Sequence, residues 1–209
     1  MDFYESQKSK IIELSGRSQR YLGSIESQIK SNNGILFGNF KEKGFLIIND
    51  KKPYHFSIPD GKTFISLGLL KKYVKSEGLL VSVLTLEMIR AHKKIFTKNI
   101  IVPTGVVSFE DLRPLLKVNL NFKNDVNKWA IYSLKRSGFS PLSLLRLLQL
   151  KNKNFLDFFD TQDESEESSI EEAQLKSFLI KSGLFSDINK FQKNSSRGFY
   201  HFINEIKRL

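Results

Sequence analysis

Histidines and acids carry most hydrolytic and metal chemistry, so their spacing is the first thing to read. The chain holds three histidines, His55, His92 and His201. They lie far apart, and none belongs to an HExxH-type ligand pattern. Glu87 precedes His92 by five residues, the wrong offset for a shared helical face. Each histidine therefore reads as incidental. Cysteine is absent, which removes thiol nucleophiles, disulfides and cysteine-ligated metals. Gly16, Gly34, Gly38, Gly44, Gly61 and Gly68 are dispersed, and no phosphate-cradling glycine motif appears. Pro59-Asp60-Gly61-Lys62 lacks the preceding buried strand and following helix of a phosphate loop and reads as a turn. Glu42, Asp50 and Asp60 stand beside Lys43, Lys51, Lys52 and Lys62, a composition suited to metal-assisted phosphodiester cleavage. In a β-meander, however, Asp50 falls at the opposite end of the sheet from Glu42 and Asp60. A magnesium-dependent nuclease is thus a second alternative. The sequence calls for no cofactor, no metal and no catalytic set.

The remaining chemistry is charge. The 209 residues carry 33 Lys+Arg against 22 Asp+Glu, a net charge of +11. Residues 1–156 carry +14, residues 157–172 carry −8 and residues 173–209 carry +5. A body with that excess attracts polyanions, either nucleic acid or an anionic lipid surface. The candidate contacts are Lys51, Lys52, Lys62, Lys71, Lys72, Lys75, Arg90, Lys93, Lys94 and Lys98. Tyr54, Phe56 and Phe64 are interleaved with them, and cations beside rings suit single-stranded nucleic acid. Lysine is a point charge that reads no base alone, so binding is expected to be sequence-tolerant. The abundance of Lys, Asn, Ile and Phe matches A/T-rich codons and suggests a viral, phage or plasmid source.

These groups must be positioned by an α+β fold. Residues 35–67 show the clearest β signal: Ile35–Phe40, Phe45–Asn49, Tyr54–Ile58 and Thr63–Leu67 are separated by short turns. Such connections predict a small antiparallel meander packed with helices. Tyr54, Phe56 and Ile58 share one face of their strand, His55 and Ser57 the other. Residues 3–31 predict a helix, with Ile11, Leu14, Leu22, Ile25 and Ile29 in one stripe that Ser18 interrupts. Residues 68–97 predict a helix broken at Gly78, with a strand possible over Leu79–Leu86. Asn99–Phe109 reads as β, and Ser108 as the cap of the helix after it.

Residues 126–150 give a helix pair with Gly138 at the turn. It has the outline of a helix-turn-helix, but Ser143, Arg146 and Gln149 are few reading groups, so a packing hairpin is expected. The acidic stretch 157–172 reads as a solvated linker. Ser168 and Ser169 stand three residues before Glu171 and Glu172 and predict a helix from about 170 to 182, with Gly183 as its stop. A final helix at about 197–208 carries Phe199, Phe202, Ile203 and Ile206.

The expected organisation is an N-terminal helical arm (1–34), an α+β body (35–108), a helical subdomain (109–156), the acidic linker (157–172) and a helical tail (173–209). The Ile11/Ile25 and Phe199/Ile206 stripes are candidate seams for a homo-oligomer. No run is long enough to span a membrane, and Met1–Lys30 lacks the apolar core of a signal peptide. A cytoplasmic or host-intracellular setting is expected. The leading functional expectation is a non-enzymatic nucleic-acid-binding accessory protein. The alternative is a viral structural or movement-type protein whose basic face meets anionic membrane or a host protein.

Overall fold

The structure, a computed structural model of the chain, describes residues 8–38, 44–58, 61–93, 118–158, 165–185 and 194–209. The expectations for Asn99–Phe109 and the Ser108 cap lie outside these residues. The fold is α+β and mainly helical. Its strands are β1 (Ile11–Ile12), β2 (Phe45–Ile48), β3 (His55–Ser57) and β4 (Thr63–Ser66). Its helices are α1 (Gly16–Asn32), α2 (Gly34–Phe37), α3 (Leu67–Lys72), α4 (Glu77–His92), α5 (Leu120–Arg136), α6 (Leu142–Lys153), α7 (Ser165–Lys181) and α8 (Arg197–Arg208).

The sheet corrects the expected meander. Its order is β1-β2-β4-β3. β1 is antiparallel to β2, with Ile11 opposite Ile48. β2 and β4 run parallel, with Phe45 opposite Thr63 and Ile48 opposite Ser66. Only β3 and β4 form an antiparallel hairpin, with Phe56 opposite Phe64. The reason lies in β4. Successive strand residues face opposite sides, and Phe64 and Ile65 are both fully buried. A strand apolar on both faces belongs inside a sheet, so β4 enters between β2 and β3. The connection 49–54 can step across it, because strands two places apart are only about 10 Å distant.

The first expected strand is also corrected. In its described part, residues 35–37 lie in the helical turn α2 and Gly38 ends it; Ile35 is 99% exposed, whereas Phe37 is buried in the core. The buried Asn33 holds this junction, donating through Nδ2 to Ile29 O at 2.8 Å and to Ser137 Oγ at 3.1 Å. The predicted helix over 3–31 starts late. Ile11 and Ile12 are strand residues, and Ser15 caps α1 by accepting from the Ser18 amide.

The expected break at Gly78 falls instead at Tyr73–Ser76. Gly78 sits in the first turn of α4, where a Cβ would lie 2.4 Å from Ser143 Oγ of α6. The β-branched stretch Leu79–Leu86 is helical. Every residue from Leu79 to Ile89 is buried, because α5, α6, α1, β3 and β4 all pack around α4. A helix enclosed on all sides has no need of an amphipathic pattern.

The two chain-terminal helices close over each other. Glu205 of α8 accepts from the Ser15 amide and hydroxyl, each at 2.6 Å, and from the Ser18 hydroxyl. Ser18, the polar interruption in the α1 stripe, is therefore a buried contact. At the other end of α8, Glu77 accepts from the Ser196 amide (2.7 Å), the Ser196 hydroxyl (2.6 Å) and the Tyr21 hydroxyl (2.7 Å). Burial and the neighbouring Glu77 carboxylate push the Tyr21 phenol up. The apolar stripes expected to join subunits are consumed here: Ile25, Phe199 and Ile206 are all buried within the chain, and Ile11 pairs in the sheet. Among the described residues no helix is long and apolar enough to cross a membrane.

Candidate nucleic-acid interface

The strongest juxtaposition of basic residues forms around a missing side chain. Gly68 lies in the first turn of α3, and its amide donates to Asp50 O at 2.7 Å. A Cβ on Gly68 would lie 2.1 Å from Lys51 O and 3.0 Å from the Lys52 carbonyl carbon. Glycine thus lets the 50–53 loop lie directly on the helix. Lys71 and Lys72 follow Gly68 at three and four residues, the spacing of one helical face. Lys75 folds back so that its Nζ donates to Lys71 O at 2.6 Å. The backbone that bears Lys51 and Lys52 therefore abuts the helix that bears Lys71 and Lys72, with Lys75 just beyond it, so that two separate sequence segments build one ledge. Lys51, Lys52, Lys72 and Lys75 are exposed and Lys71 is half-exposed. Five lysines carried by two abutting segments raise a positive field that draws anions. Part of that field is offset by the carbonyl end of the α3 dipole.

One acid already reaches the ledge. Asp157, just beyond α6, accepts from the Tyr73 hydroxyl at 2.5 Å and lies 3.5 Å from Lys72 Nζ. The Tyr73 hydrogen bond and the Lys72 charge hold its carboxyl below the usual range. Reciprocally, partial burial and the Asp157 carboxylate push the Tyr73 phenol up to about 12. Next to Asp157, Phe158 is buried with its ring 4.7 Å from that of Tyr73, and Lys151 Nζ lies 5.9 Å from the Phe158 ring.

The other candidates are dispersed. Lys62 is half-buried at the opposite end of β4 from Gly68. Lys93 lies over the Trp129 ring, 4.5 Å from its centroid, a cation–π contact that tethers α4 to α5. Arg90 is bound to Glu87 at 2.7 Å. Lys94 and Lys98 lie outside the described residues, as do Glu42 and Asp60. Asp50 caps its own loop, accepting from the Lys52 amide at 2.8 Å. The interleaved rings are packing groups: Tyr54, Phe56 and Phe64 are all buried, and Phe56 stacks on Phe64 at 5.0 Å. In the α5–α6 pair, Ser143 is buried against Gly78 and Leu144, Leu145, Leu147 and Leu148 are buried. That is the packing hairpin, with Gly138 at φ 80° in its turn.

A second centre went unmarked by motif or spacing. His55 of β3 pairs through Nδ1 with Glu87 Oε1 at 2.8 Å, and Arg90 Nη1 reaches the same oxygen at 2.7 Å. The His55 and Glu87 side chains are 1% and 0% exposed. Burial pushes the Glu87 carboxyl up, but the Arg90 charge and the His55 hydrogen bond outweigh it and bring the group down to about 2. Ser57, on the same strand face as His55, also favours the carboxylate. A carboxylate orienting an imidazole is the geometry of a general base, but a base must reach its substrate. Enclosure makes this cluster a tie between the sheet and α4. The sequence signal was present: His55 and Ser57 share a strand face, and Glu87 is a lone acid in an apolar helical run.

The acidic stretch is a docked element as well as a connector. α7 begins at Ser165, inside the stretch expected to be a solvated linker. Glu167 lies 3.6 Å from Lys123 Nζ, Glu171 accepts from Asn127 at 2.6 Å and Glu172 accepts from Asn152 at 2.6 Å. Acids in the first turn also favour the helix through its dipole. Gly183 ends the segment at φ 69°, as its position suggested. No family model matches the sequence, and no curated protein matches it either.

Proposed function

We propose that this chain is a non-enzymatic nucleic-acid-binding accessory protein, sequence-tolerant in its contacts. One observation supports the reading: in a +11 chain, the loop that bears Lys51 and Lys52 abuts the helix that bears Lys71 and Lys72, with Lys75 just beyond it. The mechanism is neutralisation of consecutive phosphates by flexible ammonium groups, with release of condensed counterions. Lys62 and Lys93 would add charge at a distance. Arg90 serves Glu87 and is left out of the contact set.

The test is fluorescence anisotropy of labelled single- and double-stranded DNA and RNA across a salt series. Log affinity is expected to fall linearly with log salt, and the four probes rank the strand preference. Joint replacement of Lys51, Lys52, Lys71 and Lys75 by Gln should flatten that slope by about 0.7 per lost contact on a single strand. Equal retention on anionic vesicles, with no competition from nucleic acid, would move the basic face to a membrane role. Absence of binding to every probe at low salt would overturn the proposal.

A further inference from the structure

Asp157 occupies a position that suits a phosphate. Its carboxylate takes one hydrogen bond from the Tyr73 hydroxyl at 2.5 Å and one ion pair from Lys72 at 3.5 Å. A phosphodiester oxygen offers the same negative acceptor to the same two donors. The carboxylate is held there by its own chain. The Asp157 amide donates to Asn154 O at 2.9 Å, and the Phe158 amide donates to the same oxygen at 3.3 Å. Phe158 anchors the turn, buried against the Tyr73 ring.

The contact is nevertheless exposed. The side chains of Lys72 and Asp157 are 54% and 51% accessible, so water and ions reach both. Such a pair is weak and exchangeable. Its location matters more than its strength, because it places an acid within the lysine ledge, where a bound strand would run.

We propose that the Tyr73–Lys72 pair is an oxyanion seat that Asp157 fills in cis and that a nucleic-acid phosphate takes over on binding. The inference rests on the nucleic-acid reading of the ledge and deepens it. Phe158 stays anchored while the Asp157 side chain swings out, so exchange needs no unfolding. The seat lowers the protein's affinity for any strand by the cost of displacing its own carboxylate. It also selects against weak anions that cannot compete with it.

Asp157→Asn tests this directly, with thermal melting as a control for folding. Against a fluorescein-labelled oligothymidylate, the variant should bind roughly fivefold tighter than the parent. Its salt slope should steepen by about 0.7, one additional phosphate contact on a single strand. Parent binding retained with unchanged or weaker binding by the variant would overturn the seat and leave the proposed function standing.

A second readout needs no nucleic acid. With ring-labelled tyrosine, and Tyr73 assigned through Tyr73→Phe, inorganic phosphate should shift the Tyr73 resonance in Asp157→Asn at concentrations that leave the parent unmoved. Should neither protein bind the oligonucleotide, the proposed function fails. The phosphate-dependent shift then decides the seat alone: its presence supports the seat, and its absence overturns it.

Discussion

Glu87 and Asp157 invite comparison because each is a carboxylate held between a cation and a second donor. Glu87 sits between Arg90 and His55, and Asp157 between Lys72 and Tyr73. Both are held below the usual carboxylate range. Their surroundings are opposite. Glu87 and His55 are fully enclosed and Arg90 is only 21% exposed, so removing the carboxylate would strand the imidazole and leave the guanidinium with partial hydration. Asp157 stands in solvent, where each partner can be rehydrated. The same chemical pattern is thus a structural tie in one place and an exchangeable contact in the other. Burial decides which, and sequence spacing does not reveal burial.

The contrast can be broken by measurement, beginning with the largest effect. Glu87→Ala should destabilise the fold by about 3–5 kcal/mol in urea unfolding, the cost of removing one partner from a buried ion pair. A loss under about 1 kcal/mol would put Glu87 in the same class as a surface acid. Acid should act through the same group. Its carboxyl is held down to about 2, below the ordinary glutamate value of 4.5, so its contribution is fully present above about 4.5. That contribution is lost as pH falls from there through about 2. Urea midpoints should therefore decline over that window, and less steeply in Glu87→Gln.

Gly68→Ala lies between the two extremes. Its Cβ meets the Lys51 carbonyl at 2.1 Å, so the loop must lift, at a cost of about 1–3 kcal/mol by analogy with overpacking. Thermal melting should register that loss, and strand binding should weaken as the ledge splits. Glu205→Ala should cost about 1 kcal/mol, comparable with the loss of a helix cap, and show as a lower melting midpoint. Asp157→Asn should leave the urea midpoint unchanged. A clear loss there would erase the distinction between the two carboxylates.

Much of the helical scaffold is legible from local signals. Gly138 and Gly183 mark helix ends through positive φ, and Ser196 caps α8 by accepting from the Phe199 amide. These cues act within a few residues, so the sequence carries them openly. The strand order is not legible, because placing β4 beside β2 depends on what covers each face. Nor was the start of α7 visible, since Glu167, Glu171 and Glu172 are drawn down by Lys123, Asn127 and Asn152 from distant segments. The ledge was half legible. Its lysines are readable from charge alone, but the abutment of the two segments that carry them depends on Gly68 admitting the Lys51 carbonyl. Asp157 belongs to the acidic run and Tyr73 to the basic, aromatic segment of the sequence, and only the fold pairs them across 84 positions.

The grip of Glu205 on Ser15 has a consequence for biosynthesis. The two residues are 190 positions apart, which is roughly 10 to 40 s of translation. For much of that interval α1 is outside the ribosome without α8, the helix whose Phe202 packs against Tyr21. A nascent chain must therefore carry an unfinished apolar surface for most of its synthesis. Chaperone capture during translation should be stronger for this protein than for one whose early helices pack on their immediate successors.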